Sequence, residues 1–244
     1  MSRYLMKIRY DGTNYHGWQV QDNANTVQCE VQNALEQILS VRPNVTGCSR
    51  TDSGVHAKEY CFHFDSELEI EPIAYVKAMN TKLPDDIAAF HCEKVSPDFH
   101  SRYSVKSKRY EYCFYDGDVR NPFNSKFSWF MKNKLDEKIL DIAAKQFIGT
   151  YDFCGFCSTG SSVKDTVRTV FDAGVKREGD TVVFYVEADG FLYNMVRIMA
   201  GTLYFVSLDK IKVEDIKDII LSKNRERAGV TAPANGLFLT KVNY

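Results

Sequence analysis

Apolar and polar positions along the first part of the chain follow two periods, one typical of strands and one of helices. Six elements are predicted there in the order strand, helix, strand, strand, helix, strand, over residues 3–10, 27–39, 44–47, 60–64, a stretch after Pro72, and 87–95. Asn25 or Thr26 can cap the first helix because the side chains of both accept hydrogen bonds from backbone N–H groups. The first part therefore has the order βαββαβ.

The remainder of the chain predicts the same order with one additional helix. Its elements lie over residues 109–115, 135–147, 166–176, 181–187, 191–206, 213–221 and 237–242. The turn Arg177-Glu178-Gly179-Asp180 indicates a hairpin. Two ferredoxin-like βαββαβ halves in tandem, residues 1–98 and 99–244, indicate an α+β fold. We expect a largely antiparallel sheet with helices on one face and a central cleft between the halves.

The composition is that of a folded protein, with 44% hydrophobic and 26% charged residues. The formal net charge of −1 does not by itself indicate a nucleic-acid partner. The N-terminal residues do not resemble a signal peptide. The longest apolar stretch, residues 190–208, is interrupted by Asn194, Arg197 and Gly201, which indicates a core helix and not a membrane span. We expect a cytoplasmic protein without a membrane anchor.

Seven cysteines are scattered along the chain, several of them among apolar neighbours. This pattern predicts reduced, buried thiols and not a disulfide framework. Cys154 and Cys157 form a C-x-x-C pair, but a zinc site would need two further ligands, and the sequence has no second pair of this kind. We therefore expect no metal.

Basic residues concentrate just before an aromatic strand. Residues 99–110 contain four basic side chains and no acidic one, namely Arg102, Lys106, Lys108 and Arg109. In the strand that follows, alternation places Tyr110, Tyr112 and Phe114 on one face. Runs of charge are usually solvated surface and aromatic strand faces are usually core. The combination also suits RNA, whose unpaired bases stack on rings while cations hold its phosphates.

Two further positions could carry chemistry. Asp52 lies in a loop bracketed by Gly47 and Gly54, where a carboxylate can either cap a turn or point into a cleft. Arg197 is the only formally charged residue between Asp189 and Asp209. In such an apolar helix it either reaches solvent or meets a carboxylate, and spacing does not identify the partner.

Several motifs in one order carry a resemblance that covers nearly the whole chain. They occupy residues 10–19, 50–57 (RTDSGVHA), 83–87, 99–102, 108–110, 167–169, 191–192, 195–197 and 232–237. In these motifs and in their order the sequence resembles the tRNA pseudouridine synthase A family, and residues 50–57 match the family's catalytic motif. The family usually has Gly where Ser49 stands, and the added Cβ could tighten the loop.

The resemblance implies a role for each of several residues. Asp52 is the nucleophile that lets the uracil detach, rotate and rejoin the ribose through carbon, and Arg197 pairs with it and keeps it ionised. Tyr110 stacks on the target base and helps to remove the proton from the carbon that forms the new bond. Arg50 occupies the space left by the flipped nucleotide. Contacts to RNA are expected from the basic side chains of Lys106, Lys108, Arg109 and Arg168.

The resemblance also implies the reaction's partners. The substrate is tRNA, modified at positions 38, 39 and 40 of the anticodon stem-loop, and members act as homodimers. No cofactor is implied, because the reaction has no redox step and transfers no external group. A dimer would gather scattered basic residues into one groove despite the net charge.

Two other functions remain open at this point. An RNA-binding protein could keep the fold without turnover, although a pure binder has no need of a carboxylate near phosphates. A nucleosidase or glycosidase could use Asp52 with a second carboxylate, for which Glu59 is the nearest choice.

Overall fold

A computed structural model describes residues 1–160 and 163–244. Packing of the Cα atoms divides the chain into unit 1, Met1–Lys106 with Leu239–Tyr244, and unit 2, Ser107–Phe238. The predicted division after residue 98 therefore differs from the packing at two places. Residues 99–106 and the final residues of the chain belong to unit 1.

Unit 1 is built from five strands and two helices. They are β1 (Ser2–Tyr10), α1 (Val27–Leu39), β2 (Val45–Gly47), β3 (His56–Ser66), α2 (Pro72–Asn80), β4 (Ile87–Val95) and the part of the last strand that follows Phe238. The strands lie in the order β4-β1-β3 followed by the last strand, and β2 pairs with β3. The pairs β1/β3, β1/β4 and β2/β3 are antiparallel.

One face of this sheet carries the helices. Phe62 and Phe64 of β3 are completely buried, and the ring of Tyr75 in α2 contacts Phe64 at a centroid distance of 5.4 Å. Helix α1 begins as predicted at a threonine cap, because the Thr26 side chain accepts a hydrogen bond from the N–H of Cys29. Burial of these aromatic side chains stabilises the unit.

The final residues join unit 1 through specific contacts. The N–H of Lys106 donates to the carbonyl of Asn243 at 2.8 Å, and the Tyr244 hydroxyl donates to the carbonyl of Ser101 at 3.0 Å. The Tyr244 ring also contacts Phe99, with centroids 4.9 Å apart. Sequence order could not reveal this, since the pairing joins residues more than a hundred positions apart.

Unit 2 contains the remaining elements. They are β5 (Ser107–Tyr115), β6 (Trp129–Phe130), α3 (Glu137–Lys145), β7 (Gly149–Asp152), β8 (Val167–Glu178), β9 (Thr181–Ala188), α4 (Met195–Ser207), α5 (Asp215–Ser222) and the first residues of β10 (Leu237–Asn243). Four strands lie in the order β5-β9-β8-β7, joined by antiparallel pairs, and β6 pairs with β5 in parallel.

Unit 2 differs from the predicted elements at three points. The short strands β6 and β7 were not predicted, since two to four residues are too few to show a period. Helix α4 begins at Met195, four residues later than expected, because Asn194 has a φ of +61° and ends the preceding turn. Helix α3 spans Glu137–Lys145 and is therefore shorter than the predicted 135–147, because the Asp136 side chain caps its start by accepting hydrogen bonds from two backbone N–H groups.

The predicted hairpin is present between β8 and β9, and an ion-pair cluster holds it. Arg177 donates to both carboxylate oxygens of Asp116, at 2.9 and 3.0 Å, and to Glu137 at 2.9 Å. Burial of Asp116 raises its pKa, but the hydrogen bonds from Arg177 and from the Leu135 N–H outweigh burial and hold the pKa below its ordinary value. The hairpin base is therefore a satisfied charged network.

The observed architecture is mixed, with mostly antiparallel strand pairs and five α-helices in the described residues. This confirms the predicted α+β class. None of those helices has the length and apolar character needed to span a bilayer.

Candidate active site

The residues that join β2 to β3, 48–55, form what we call the Asp52 loop. Thr51 and Val55 are buried on either side of Asp52, and His56 at the start of β3 is 1% exposed. The Asp52 residue itself is half-buried, while Arg50 and Ser53 are exposed. The loop is thus anchored on both sides of its carboxylate.

A second segment, residues 11–18, holds the loop through its backbone. The N–H of Trp18 donates to the carbonyl of Thr51 at 3.2 Å, and the N–H of Gly54 donates to the carbonyl of Tyr15 at 3.1 Å. Gly17 has a φ of +84°, and a Cβ there would lie 2.3 Å from the Thr51 oxygen. Only glycine fits this position, both for its conformation and for its space. The matched motif at 10–19 therefore supports the loop that contains Asp52.

Side chains from β1 and β3 complete the support. The hydroxyls of Tyr10 and Thr51 are 2.9 Å apart in a buried hydrogen bond, and the N–H of Gly12 donates to Nδ1 of His56 at 3.0 Å. The Tyr60 hydroxyl donates to the carbonyl of Ser49. These bonds fix the backbone on both sides of Asp52, and buried hydrogen bonds of this kind limit its conformations.

The matched motif at 83–87 also has a structural role. The Tyr15 hydroxyl donates to the Asp86 carboxylate at 2.5 Å, and the Asp86 carbonyl accepts from the N–H of Asp11. Burial, and then the hydrogen bond to Asp86, raise the pKa of Tyr15, so this hydroxyl stays protonated at neutral pH. Asp86 thereby fixes segment 11–18, which in turn fixes the loop.

One polar atom at the start of the loop lacks a partner. Across the part of the chain that the structure describes, the Ser49 hydroxyl is the single buried side-chain oxygen or nitrogen with no hydrogen bond. Ser49 is the position where the sequence departs from the usual family glycine. A buried polar atom without a partner costs free energy of folding.

In unit 2, Arg197 is fixed near the start of α4. Its Nε donates to the carbonyl of Ala232 at 2.7 Å, and one terminal nitrogen donates to Oδ1 of Asn194 at 2.8 Å. The N–H of Ala232 returns a bond to the Arg197 carbonyl at 3.1 Å. A Cβ on Gly201 would lie 1.7 Å from the Val230 oxygen, so this glycine lets the chain near Ala232 lie directly against the helix.

The aromatic face of β5 lies close to this arginine. Tyr112 donates its hydroxyl to the Pro233 carbonyl at 2.8 Å, and burial raises the Tyr112 pKa, opposed by the charge of Arg197. Tyr110, on the same face, is only 6% exposed, and its ring meets the Phe191 ring edge to face at 5.0 Å. Little of the Tyr110 ring is therefore accessible for stacking.

The predicted RNA-binding residues occupy different settings. Lys106 is exposed and its Nζ donates to the main-chain oxygen of Tyr244 at 3.2 Å, and Lys108 is half-buried. Arg109 lies 3.2 Å from Asp172 and over the Tyr185 ring at 4.2 Å, which fixes its guanidinium inside unit 2. Arg168 donates to two backbone carbonyls of its own segment.

The structure also bears on the other functions considered from the sequence, a second catalytic carboxylate and a metal site. Glu59, considered as a second carboxylate, lies 3.4 Å from Nζ of Lys7 and accepts from the N–H of Val242, so it has structural partners. None of the seven cysteines forms a disulfide; Cys48, Cys61 and Cys92 are buried as predicted, whereas the other four are half-buried. Within the described ranges no group of three or more His, Cys, Asp or Glu side chains could hold a metal ion, and Cys154 and Cys157 are no exception.

Comparison with known proteins identifies the family. A family model described as tRNA pseudouridine synthase matches residues 6–104 and 143–244. The chain belongs to the tRNA pseudouridine synthase family. Proteins named tRNA pseudouridine synthase A from Clostridium acetobutylicum and Acetivibrio thermocellus are each 44% identical to it over 244 residues, covering 100% of both chains. A third, from Thermoanaerobacter sp. (strain X514), is 42% identical with the same coverage.

Membership confirms the predicted resemblance and the enzyme class, an isomerase. The two matched stretches of this family member include the Asp52 loop and segment 11–18 in unit 1, and α4 with residues 228–237 in unit 2. Sequence reasoning did not assign roles to Gly17, Tyr15 and Asp86 in unit 1, or to Asn194 and Ala232 in unit 2. All five lie inside or next to the matched motifs, and their position there was the only indication in the sequence that they have a role.

Proposed function

We propose that this chain isomerises uridine to pseudouridine in tRNA, at positions 38, 39 and 40 of the anticodon stem-loop. The supporting observation is the Asp52 loop of a family member, in which buried neighbours fix a half-buried aspartate residue. The names of the relatives, tRNA pseudouridine synthase A, support tRNA as the substrate class. A loop whose backbone is held by several buried hydrogen bonds is typical of a site that must place a reacting group.

Asp52 acts in this proposal as the nucleophile. The bond between ribose C1′ and uracil N1 breaks, the base rotates, and a bond forms between C1′ and C5. C5 loses its proton and N1 gains one, so that atoms and electrons balance and no cofactor is consumed. A positioned carboxylate can hold the transferred fragment as a covalent intermediate, which divides one difficult step into two easier ones.

Arg197 pairs with Asp52 in the proposed site. Its Nε and one terminal nitrogen are held by Ala232 and Asn194, so the planar guanidinium has a set orientation within unit 2. A guanidinium can bind a carboxylate through two parallel hydrogen bonds and lowers its pKa. This pairing keeps the nucleophile ionised at neutral pH.

The base is handled by two more residues. Arg50 is exposed on the loop and occupies the space that the flipped nucleotide leaves. Tyr110 contacts the base through the small accessible part of its ring and helps to remove the C5 proton. The edge-to-face contact with Phe191 holds that ring in place.

The wider substrate contact completes the proposal. Lys106, Lys108, Arg109 and Arg168 bind phosphates, with the largest contribution from Lys106, which is exposed. Two tandem ferredoxin-like halves form a central cleft, and two copies of the chain form a homodimer whose basic residues together hold one tRNA.

Pseudouridine mapping of tRNA tests this proposal. Purified protein is incubated with an unmodified tRNA transcript that has uridines at 38, 39 and 40, and each position is scored by a carbodiimide-dependent reverse-transcription stop. We expect new stops in the wild-type reaction at these positions. Asp52→Ala should lower the rate by at least about 10⁴-fold while tRNA binding is kept, because removing a covalent nucleophile removes the reaction path.

Four outcomes would contradict parts of the proposal. Binding by the wild type without modification would favour an RNA-binding protein, and release of free uracil would favour a nucleosidase. Modification confined to another stem would overturn the proposed positions.

The pH dependence of the rate tests the ion pair. Arg197→Gln should move the acid limb of the rate profile to higher pH, because the pKa of Asp52 would rise without the guanidinium, and an unchanged profile would contradict the pairing with Asp52.

A further inference from the structure

A tight turn in unit 1, residues 100–104, presents an aromatic side chain that the proposed mechanism does not use. We call it the Tyr103 turn. Tyr103 is 76% exposed, a larger fraction than for any other tyrosine that the structure describes. A single exposed ring is common on protein surfaces, so its surroundings decide whether it has a role.

Hydrogen bonds close the turn around His100. Its Nδ1 accepts from the N–H groups of Arg102 and Tyr103 at 3.2 and 3.3 Å. Its carbonyl accepts from the N–H of Ser104 at 2.8 Å, and its own N–H donates to the Ser104 hydroxyl at 3.1 Å. The turn is therefore ordered before any ligand binds, and little conformational entropy is lost when one does.

The turn is also anchored in the unit. Ser101 is completely buried, and its N–H donates to Nδ1 of His63 on β3 at 3.1 Å. Burial lowers the pKa of His63 to about 4, so the ring is neutral at pH 7 and its Nδ1 is free to accept this bond. Arg3 adds a hydrogen bond to the carbonyl of Phe99 at 2.8 Å.

The exposed ring has both aromatic and cationic neighbours. The His100 ring lies against it with centroids 4.3 Å apart and a tilt of 31°. The Arg102 guanidinium lies 5.9 Å from the Tyr103 centroid. No carboxylate pairs with Arg102 in residues 1–160 or 163–244, so its charge is available to an anion. A rigid ring next to an uncompensated cation is the combination that binds single-stranded nucleic acid.

We propose that the Tyr103 turn is a second RNA-binding site, where Tyr103 stacks on an unpaired base of the substrate and Arg102 binds the adjacent phosphate. The proposal rests on the proposed function for the identity of the RNA. Stacking on a ring needs no particular base, and the cation contributes through release of counterions from the phosphate.

The turn is distant from the end of the Asp52 loop that leads into β3, although the first loop residue, Cys48, donates its N–H to the carbonyl of Cys61 on that strand. His63, which anchors the turn, lies seven residues beyond His56 on β3, and extended strands rise by roughly 3.3 Å per residue, which gives about 23 Å between His56 and His63. A base held there is not the base that reacts. We therefore expect the site to change the affinity for RNA and to leave turnover at saturation unchanged.

Binding measurements on Tyr103 variants test the proposal. Fluorescence anisotropy with a labelled full-length tRNA transcript gives Kd for the wild type, Tyr103→Ala and Tyr103→Phe. Loss of one stacked base corresponds to an increase in Kd of about 5- to 150-fold for the alanine variant, whereas the phenylalanine variant should stay near the wild type. Turnover at saturating tRNA should stay within about twofold for both. The control is Ile73→Ala, an exposed apolar side chain on α2, which should leave Kd unchanged.

The salt dependence of binding tests Arg102 separately. A phosphate contact contributes about 0.7 to 0.9 to the slope of log K against log salt concentration. Arg102→Gln should lower the slope by about this amount, and Tyr103→Ala should not, because stacking releases no counterion.

The outcomes separate this inference from the proposed function. Equal Kd values for Tyr103→Ala and the wild type would overturn the inference, even if the wild type forms pseudouridine normally. A change in oligomeric mass of Tyr103→Ala would also overturn it, since the turn would then contact a second copy of the chain. A wild type that binds tRNA through Tyr103 but forms no pseudouridine would overturn the proposed function alone.

Discussion

Each unit joins two antiparallel strands that follow a helix, but the two connections differ. In unit 1, β2 and β3 are joined by the eight residues of the Asp52 loop, 48–55. In unit 2, only Gly179 and Asp180 join β8 to β9. The short turn is too tight to present a side chain into a cleft, while the long loop can do so only when another segment holds it.

The two connections also differ in how completely their polar groups are hydrogen-bonded. At the hairpin, Arg177 bonds Asp116, Glu137 and the carbonyl of Leu135, so its donors are well used. At the Asp52 loop the backbone is held by segment 11–18, yet the Ser49 hydroxyl is buried without a partner. The charged groups at the hairpin are therefore satisfied, whereas the Asp52 loop contains a buried polar atom that lowers its stability.

The largest effect on turnover is expected from a matched pair of glycine substitutions, one beside the Asp52 loop and one in the hairpin. Gly17 and Gly179 both have positive φ, +84° and +62°. An added Cβ at Gly17 would collide with the Thr51 carbonyl, whereas one at Gly179 meets nothing within 4 Å. Gly17→Ala should displace the Asp52 loop and lower turnover by about 10²-fold, since misplacing a reacting group by about 1 Å has an effect of this size.

Gly179→Ala is the control for backbone strain. Alanine in the left-handed region costs roughly 1–2 kcal/mol, and this cost is common to both variants. We expect Gly179→Ala to lower the free energy of unfolding by about this amount and to leave turnover unchanged. Equal rates for the two variants would show that the contact with Thr51 does not position Asp52.

The two connections were not equally predictable from sequence. The hairpin follows from Gly179 and Asp180 between two alternating apolar runs, a local signal that needs no distant contact. The Asp52 loop was located by its motif, but its support comes from Gly17, Tyr15 and Asp86, far away in the chain. Such contacts leave no periodic pattern in the sequence, and only the matched motifs indicated that those segments have a role.

The fold as a whole was also predictable only where the signal is local. Strands and helices with a clear period were predicted close to their bounds, as in β4 (Ile87–Val95). The assignment of the last residues to unit 1 was missed, because pairing between Lys106 and Asn243 depends on tertiary packing. How little of the Tyr110 ring is exposed could not be decided for a similar reason, since alternation gives the face of a strand but not what covers it.

The hairpin network should affect stability and not turnover. Arg177→Met leaves the Asp116 carboxylate, which is 0% exposed, without its main partner. Breaking a buried pair of this kind costs roughly 3–5 kcal/mol, and because Arg177 is 26% exposed we expect about 2–4 kcal/mol by urea unfolding. Lys176→Met is the control, since its pair with Glu178 is exposed and such pairs contribute about 0–1 kcal/mol. A large fall in turnover of folded Arg177→Met would contradict the separation of roles.

The same network has a pH dependence of defined sign. Because the folded-state pKa of Asp116 is lowered, its contribution is present above the unfolded-state pKa of about 3.9 and is lost as the pH falls through the folded value. The difference in unfolding free energy between wild type and Arg177→Met should therefore be constant near pH 7 and shrink below about pH 4. A difference that grows on acidification would show that the carboxylate is not the group stabilised.

The smallest effect is expected at Ser49, and its sign is opposite to that at the hairpin. Ser49→Ala removes a buried hydroxyl that has no partner and leaves the Tyr60 bond to the Ser49 carbonyl in place. Removal should raise the free energy of unfolding by about 0.5–1 kcal/mol, with turnover within about twofold of the wild type. Ser53→Ala is the matched control, because the Ser53 hydroxyl donates to the Tyr15 carbonyl and its loss should bring no gain. If Ser49→Ala instead destabilises the chain as Arg177→Met does, the hydroxyl is satisfied in solution, and the Asp52 loop gives up no stability at this position.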